Sequence, residues 1–476
     1  MSVTISNTAQ RWVKLAFFAT SLTVASAWAA SPPSPDVDGA IKRALEVFES
    51  PGMAVAVVHD GEVVYAGGQG RVAADATGRV NERTLFRIGS VSKAFTAAVL
   101  AILVDDGRLD WSDRVIDYVP EFRMRDPWVT REFSIRDLLT HRSGLPLGAG
   151  DLLIFPDGNA SVEDVIRAFR YLEPESSFRS EFAYDNLLYI VAGEVASRVA
   201  GQPFADVMEQ TLLQPLGMDD CVASADRAAN PDKLATPHMR VSGELEPTGA
   251  RITSVAAAAG GIACSARSMA RWMQFMLSEG ETPAGERLLG KARFRELLAP
   301  VTLLPVPAYL AKHAGASLNA YALGWGVSTF HGQPIWSHGG GVWGMTTFIA
   351  MLPDEQLAVF ASNNLMSVAP RAIVYDVIEQ YLGDAASIGP QDWIAILAAL
   401  AVDRSDAAAA VVREAREARA TESRPSLSLA EYAGRYRDDW YGDILITVEK
   451  EGELWFSSER NPPLRGRLEH FQYDTY

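Results

Sequence analysis

Basic charge and cysteine are both in short supply. The 476 residues carry 43 Lys and Arg against 59 Asp and Glu, a formal net charge of -16 at pH 7. That balance excludes nonspecific nucleic-acid binding and docking on an anionic membrane, both of which need a cationic surface. The 2 cysteines, Cys221 and Cys264, cannot make a disulfide framework. They are read as small buried hydrophobes with a bridge open to them, so the fold must rest on its core. Also missing are a Gly-x-Ser-x-Gly elbow, a His-Glu-x-x-His helix and any close pair of histidines. Their absence removes the parts of an α/β-hydrolase triad and of a zinc hydrolase, and no metal or other cofactor is called for. Repeats and long low-complexity tracts are absent too.

What is present falls into segments. Arg11 and Lys14, an apolar run from Leu15 to about Ala25, and Ala27-Trp28-Ala29 read as a secretory signal over residues 1–29. Export to a periplasm or the outside follows. A retained anchor is the alternative, weakened because the run is short for a bilayer. Residues 36–382 form the main unit. Val37 to Phe48 has helical spacing, and Gly52–Val58 and Glu62–Gly67 are β-rich runs joined by the hairpin signal Asp60-Gly61. Helical patterns fill the middle, including Ser134–Leu139, Val162–Leu172, Leu187–Val199 and Phe204–Leu213. Strands return near Trp325–Phe330, Ile335–Ser337, Thr346–Leu352 and Leu357–Asn363, before a closing helix at Ala372–Tyr381. Strands at both ends with helices between them predict an α+β fold: an antiparallel sheet flanked by helices, with a mainly helical insertion. Residues 383–426 are a helical linker rich in Ala, Arg and Glu, and residues 427–476 have the texture of a small β domain.

The stretch with chemical content is Gly89-Ser90-Val91-Ser92-Lys93, followed by residues that are apolar on nearly every side through Leu103. Such a helix belongs inside a domain, where a serine and a lysine are out of place. Three residues apart, Ser90 and Lys93 project from one face, where burial disfavours the ammonium and lets the amine share the serine proton. A Ser-x-x-Lys alone is short enough to arise by chance, as a helix-capping serine beside a snorkelling lysine. Two further segments add to it. Tyr184-Asp185-Asn186 places a phenol and an amide two apart before a helix, although Tyr184 alone reads more readily as core packing with its hydroxyl satisfied locally. Trp336-Ser337-His338-Gly339-Gly340-Gly341-Val342 puts glycines on a strand, where bare N–H groups can approach a ligand.

Together these residues resemble the β-lactamase-related serine hydrolases: class C β-lactamases, D-alanyl-D-alanine carboxypeptidases, D-aminopeptidases and β-lactamase-like esterases. Ser90-Val91-Ser92-Lys93, Tyr184-Asp185-Asn186 and His338-Gly339-Gly340 match in order, the last in place of Lys-Thr-Gly. The resemblance implies Ser90 as nucleophile, Lys93 as its activating neighbour and Tyr184 as proton shuttle. It further implies backbone N–H groups of Ser90 and Gly341 as the oxyanion hole, and Asn186, His338 and Gly340 against the substrate. The partner is then a small ester, amide or short peptide, with no nucleic acid. Two departures stand out. Asp185 replaces a common serine, adding negative charge near the cleft if it points inward. His338 replaces a permanent ammonium with an imidazole, so weak β-lactam turnover and a preference for esters or amides without a strict carboxylate requirement are expected. The alternatives are a β-lactamase or D,D-carboxypeptidase, and a non-catalytic sensor of peptidoglycan fragments. The tail, from Tyr432-Ala433-Gly434-Arg435-Tyr436 to Leu454-Trp455-Phe456, resembles the lipocalin-like domain of some of these hydrolases, in a partial form.

Overall fold

The apolar run that opens the main unit's sheet, residues 52–58, folds as strand and is buried along its whole length. Residues 53–58, Met-Ala-Val-Ala-Val-Val, are apolar throughout, and every one of them is fully buried. Because side chains on a strand alternate between faces, burial of both faces requires cover on both sides. Ala54, Ala56 and Val58 join one hydrophobic cluster and Met53, Val55 and Val57 join another.

A computed structural model describes residues 35–228, 233–249, 254–383, 386–449 and 452–476. The signal expected over residues 1–29 lies outside them. In chain order the strands are β1 (Gly52–His59), β2 (Glu62–Gly70), β3 (Phe86–Arg87), β4 (His238–Val241), β5 (Glu244–Pro247), β6 (Ala263–Cys264), β7 (Thr302–Leu303), β8 (Asn319–Tyr321), β9 (Gly326–Phe330), β10 (Gln333–Val342), β11 (Met345–Leu352), β12 (Leu357–Asn363), β13 (Gly434–Asp438), β14 (Gly442–Val448), β15 (Leu454–Ser458) and β16 (Arg465–Leu468). Eight of them form one sheet in the order β2-β1-β12-β11-β10-β9-β8-β7. Antiparallel pairing of β1 with β12, Val55 opposite Ala361, joins strands from the two ends of the main unit. Helices Val37–Val47 and Ala369–Leu382 cover one face, and the insertion between β2 and β7, with helices Ser92–Asp105, Leu187–Ala200 and Ala266–Leu277, covers the other. The fold is α+β, as the order of elements implied.

The helix Ser92–Asp105 is buried over Ser92–Val104, so its interior setting follows from its all-apolar surface. It starts later than the sequence suggests. Ser90 belongs to a separate tight turn, Gly89–Val91, and the α-helix opens at Ser92. β10 is also longer than the expected Ile335–Ser337, running through all three glycines to Val342 in register with β11. Cys221 and Cys264 are disulfide-bonded, which ties β6, the partner of β3, beside the turn that carries Ser90.

The 383–426 segment contains one long helix, Trp393–Glu417, of which only Trp393, Ile394 and Leu397 are buried. Beyond it β13-β14-β15-β16 form a four-stranded antiparallel sheet. Among the described residues no helix is long and apolar enough to cross a membrane.

Candidate active site

Lys93 is fully buried, and its amine has three neighbours: Asn186 Oδ1 at 2.8 Å, the Ala259 carbonyl at 2.8 Å and Ser90 Oγ at 3.1 Å. The amide oxygen and the carbonyl can only accept, so two N–H bonds are committed to them. The third direction, toward Ser90, then holds either a third N–H or the lone pair of the neutral amine. Both protonation states fit one geometry, and a proton can pass between Oγ and Nζ without a side chain moving. The Ala257–Gly261 turn that presents the Ala259 carbonyl is pinned to the helix by Thr96 Oγ1, which donates to the Ala258 carbonyl at 2.7 Å.

Asn186, just before the Leu187–Ala200 helix, has its amide fixed by chemistry at both ends. Its oxygen faces Lys93, and its Nδ2 donates to Asp151 Oδ2 at 2.8 Å. Burial raises the Asp151 pKa from its ordinary range. The Tyr184 ring comes within 4.9 Å of Lys93 Nζ and lies 4.1 Å from the His141 ring. His141 Nδ1 accepts from the Asp185 N–H at 3.2 Å, and burial drives its pKa well below the ordinary imidazole value.

Asp185 lines neither cavity of the site, so its carboxyl is not presented to a substrate. The side chain is fully buried, and Oδ1 accepts from the Leu188 N–H at 2.8 Å at the start of the helix. Burial pushes its pKa up to about 7. His338 is buried and fully engaged: the Tyr321 hydroxyl donates to Nε2 at 2.8 Å, and Nδ1–H donates to the Gly339 carbonyl at 2.7 Å. Burial, then repulsion from Lys93, lowers its pKa to about 3. The imidazole is therefore neutral throughout the physiological range.

The glycines of β10 bring the strand against the nucleophile turn. A Cβ on Gly340 would lie 2.0 Å from the Ile88 carbonyl oxygen and 3.1 Å from Ser90 N. Gly89, at φ +53, has Gly341 N 2.7 Å from where its own Cβ would be. Only glycine fits at either position, and the close approach sets the Gly341 amide beside Ser90.

Two cavities meet at Gly341. One of about 240 Å³ is lined by Ser90, Asp151, Ile154, Phe155, Asn186 and Val342 among others. The other, about 480 Å³, is lined by Tyr184, Tyr321, His338, Gly340, Arg371 and Arg404 among others. Arg371 lines only the larger cavity: its Nη1 donates to the Tyr309 hydroxyl at 3.3 Å and its guanidinium lies 4.8 Å from the Phe348 ring centre.

Ser90, Lys93, Tyr184, Asn186, His338, Gly340 and Gly341 thus come together from separate segments. Reading the sequence missed Asp151, His141, Arg371 and the partner role of the Ala259 carbonyl. Nothing local in the sequence flags Asp151 or Arg371.

An unguisins hydrolase, ungD', of Aspergillus campestris is 29% identical over 454 residues, covering 90% of this chain and 80% of its own. Esterase EstB of Burkholderia gladioli is 32% identical over 231 residues, 44% of this chain and 55% of that one. The octameric penicillin-binding protein homologue from Pyrococcus abyssi shares the fold, with a TM-score of 0.65 at 20% identity over 91% of this chain and 89% of that chain. Residues 418–476 match a domain of unknown function, DUF3471. Residues 37–381 match the beta-lactamase family, and with this fold and these relatives the chain belongs to that family as a serine hydrolase.

Proposed function

We propose that the protein cleaves ester or amide bonds through an acyl-enzyme on Ser90. Oγ attacks the substrate carbonyl carbon and passes its proton to the coupled pair Lys93 and Tyr184. The carbonyl oxygen, now negative, takes hydrogen bonds from the Ser90 and Gly341 amides. The C–O or C–N bond then breaks as Tyr184 protonates the leaving group, and water repeats the sequence to release the acid. The observation that carries this reading is the Lys93 amine, its other hydrogens committed to Asn186 and Ala259 and its remaining direction aimed at Ser90 Oγ 3.1 Å away. Tyr184 lines the larger cavity, so the leaving group lies there and the acyl group occupies the smaller one beside Ser90.

A relative named as an esterase fits ester chemistry, and one named as an unguisins hydrolase fits hydrolysis. A neutral, fully bonded His338 offers no cation to a β-lactam carboxylate. Nitrocefin turnover should accordingly fall well below that of p-nitrophenyl butyrate. Faster nitrocefin hydrolysis would overturn the ester preference. A second reading, hydrolysis that releases a carboxylate-bearing leaving group, is favoured by Arg371 in the larger cavity. It predicts faster release from a D-amino-acid amide ending in a free carboxylate than from the same compound capped as an ester.

The mechanism is tested with a fluorophosphonate. Wild type should label and Ser90→Ala should not. Equal labelling of both, or none of either, removes Ser90 as nucleophile. Export is proposed on the N-terminal signal pattern together with the Cys221–Cys264 bond, and fractionation of cells expressing the full chain checks it.

A further inference from the structure

The walls of the smaller cavity are held from a distance. Asp151, Ile154 and Phe155 line it, and they belong to a loop that runs from the Asp151–Leu153 turn to the helix Val162–Ala168. Inside the loop Ile154 N–H and Phe155 N–H both donate to the Asp151 carbonyl. The carbonyls of Leu152 and Phe155 are bonded from elsewhere: both accept from Nδ2 of Asn461, the latter at 2.9 Å. Asn461 lies in the turn between β15 and β16 of the C-terminal sheet and is fully buried.

The attachment is broader than one side chain. Asn159 N–H donates to the Arg460 carbonyl at 3.0 Å and its Nδ2 to the Glu459 carbonyl at 3.1 Å. Arg460 Nη1 pairs with Asp164 Oδ2 at 3.0 Å. A Cβ on Gly158 would come 2.8 Å from Asn461 Oδ1, so the loop backbone lies flush against the amide. Trp440 of the same sheet packs on the main hydrophobic cluster, which includes Leu153 and Ile154. Backbone carbonyls clamped by a buried amide are held far more tightly than a free surface loop.

We propose that the C-terminal sheet is a working part of the cleft, with Asn461 the positioning residue that fixes the 151–161 loop and so sets which acyl groups fit beside Ser90. The assignment rests on the acyl-enzyme reading, in which the smaller cavity takes the acyl group. Asn461 touches no reacting atom. It acts through Ile154 and Phe155 on acyl size, and through Asp151 on the amide of Asn186 that meets Lys93.

The test uses the full chain, with Asn461→Asp, which keeps the shape and exchanges the donors for an acceptor, and Asn461→Ala. Active-site titration with a fluorophosphonate normalises every rate to folded enzyme. The ratio of kcat/KM for p-nitrophenyl octanoate over butyrate should change at least about fivefold in both variants. Amide hydrogen exchange in residues 150–161 should rise about tenfold or more, while the Ser92–Asp105 helix stays protected. Should the Asn461 variants fail to fold, Arg460→Ala, which removes the partly exposed bridge to Asp164 and the Nε bond to the Tyr441 carbonyl but leaves Asn461 in place, is expected to shift both readouts in the same direction by less. An unchanged ratio, or unchanged loop exchange, with active wild type overturns this assignment alone. Wild type that neither labels nor turns over esters overturns the hydrolase reading and this assignment with it.

Discussion

Gly340→Ala should lower the rate of fluorophosphonate labelling and of ester hydrolysis by about 100-fold or more, while Gly341→Ala, one residue on, stays within about tenfold of wild type. The difference is geometric. A methyl at 340 would lie 2.0 Å from the Ile88 carbonyl oxygen and 3.1 Å from Ser90 N, both backbone atoms that no rotamer change can clear. β10 must therefore retreat from the nucleophile turn. A methyl at 341 meets nothing nearer than Met366 Cε at 3.7 Å and leaves the amide in place. The Gly340 variant pulls apart the pair of N–H groups that would hold the negative oxygen, and loss of one such donor costs about 100- to 1,000-fold in kcat. It should still fold, since overpacking of this kind typically costs about 1–3 kcal/mol, against a total stability of about 5–15 kcal/mol. A matched circular dichroism spectrum and thermal midpoint check that. Wild-type labelling by folded Gly340→Ala would remove the strand from the oxyanion site and with it the mechanism proposed for Ser90.

How much of this was legible before the structure depends on how local each signal is. Ser90 and Lys93 could be read because they stand three apart in one short stretch of sequence and because an all-apolar helix announces its own burial. Tyr184 and Asn186 were legible only through resemblance, since a phenol before a helix is ordinary by itself. The course of β10 beyond Ser337 was not legible. Glycine has little strand propensity, and here pairing with β11 and contact with the Ile88–Ser90 turn override it. Asp151, Arg371 and Asn461 were invisible for a different reason. Their meaning lies in contacts with residues far along the chain, such as Asn461 with Leu152 and Phe155, and no spacing rule encodes those. The neutrality of His338 was anticipated from its ordinary pKa. The cause of its lowered pKa, burial and then repulsion from Lys93, came only with the folded site.

Asp185 supplies the second large effect, and here stability rather than activity is the readout. Asp185→Asn should match wild type in stability near pH 4 and exceed it increasingly up to about pH 7, with the gap level from there to pH 8. The carboxyl is fully buried and its Oδ2 has no hydrogen-bond partner. Burial first, and then the neighbouring Asp151 charge, raise its pKa to about 7, against the attraction of Lys93 and the N–H groups of Leu187 and Leu188. An unfolded chain releases this proton near pH 3.9, about the value of a free aspartate. Between those two values the folded state holds a proton that the unfolded state has lost, so stability falls as pH rises through the interval and levels off above about 7. The full linkage is about 4 kcal/mol, or roughly 4 °C in midpoint for a chain of this length. The buried histidines work in the opposite sense. His141 and His338 stay neutral in the folded protein and bind protons on unfolding, so they favour the folded state as pH rises toward about 6.5. Those terms are common to both proteins and cancel in the difference between variant and wild type. Asparagine keeps the acceptor that receives the Leu188 N–H, so the start of the Leu187–Ala200 helix is preserved. Thermal midpoints of the two proteins measured in parallel from pH 4 to 8 decide the matter: a gap that opens with pH assigns the buried proton to Asp185, and a gap independent of pH shows that its carboxyl is ionised throughout.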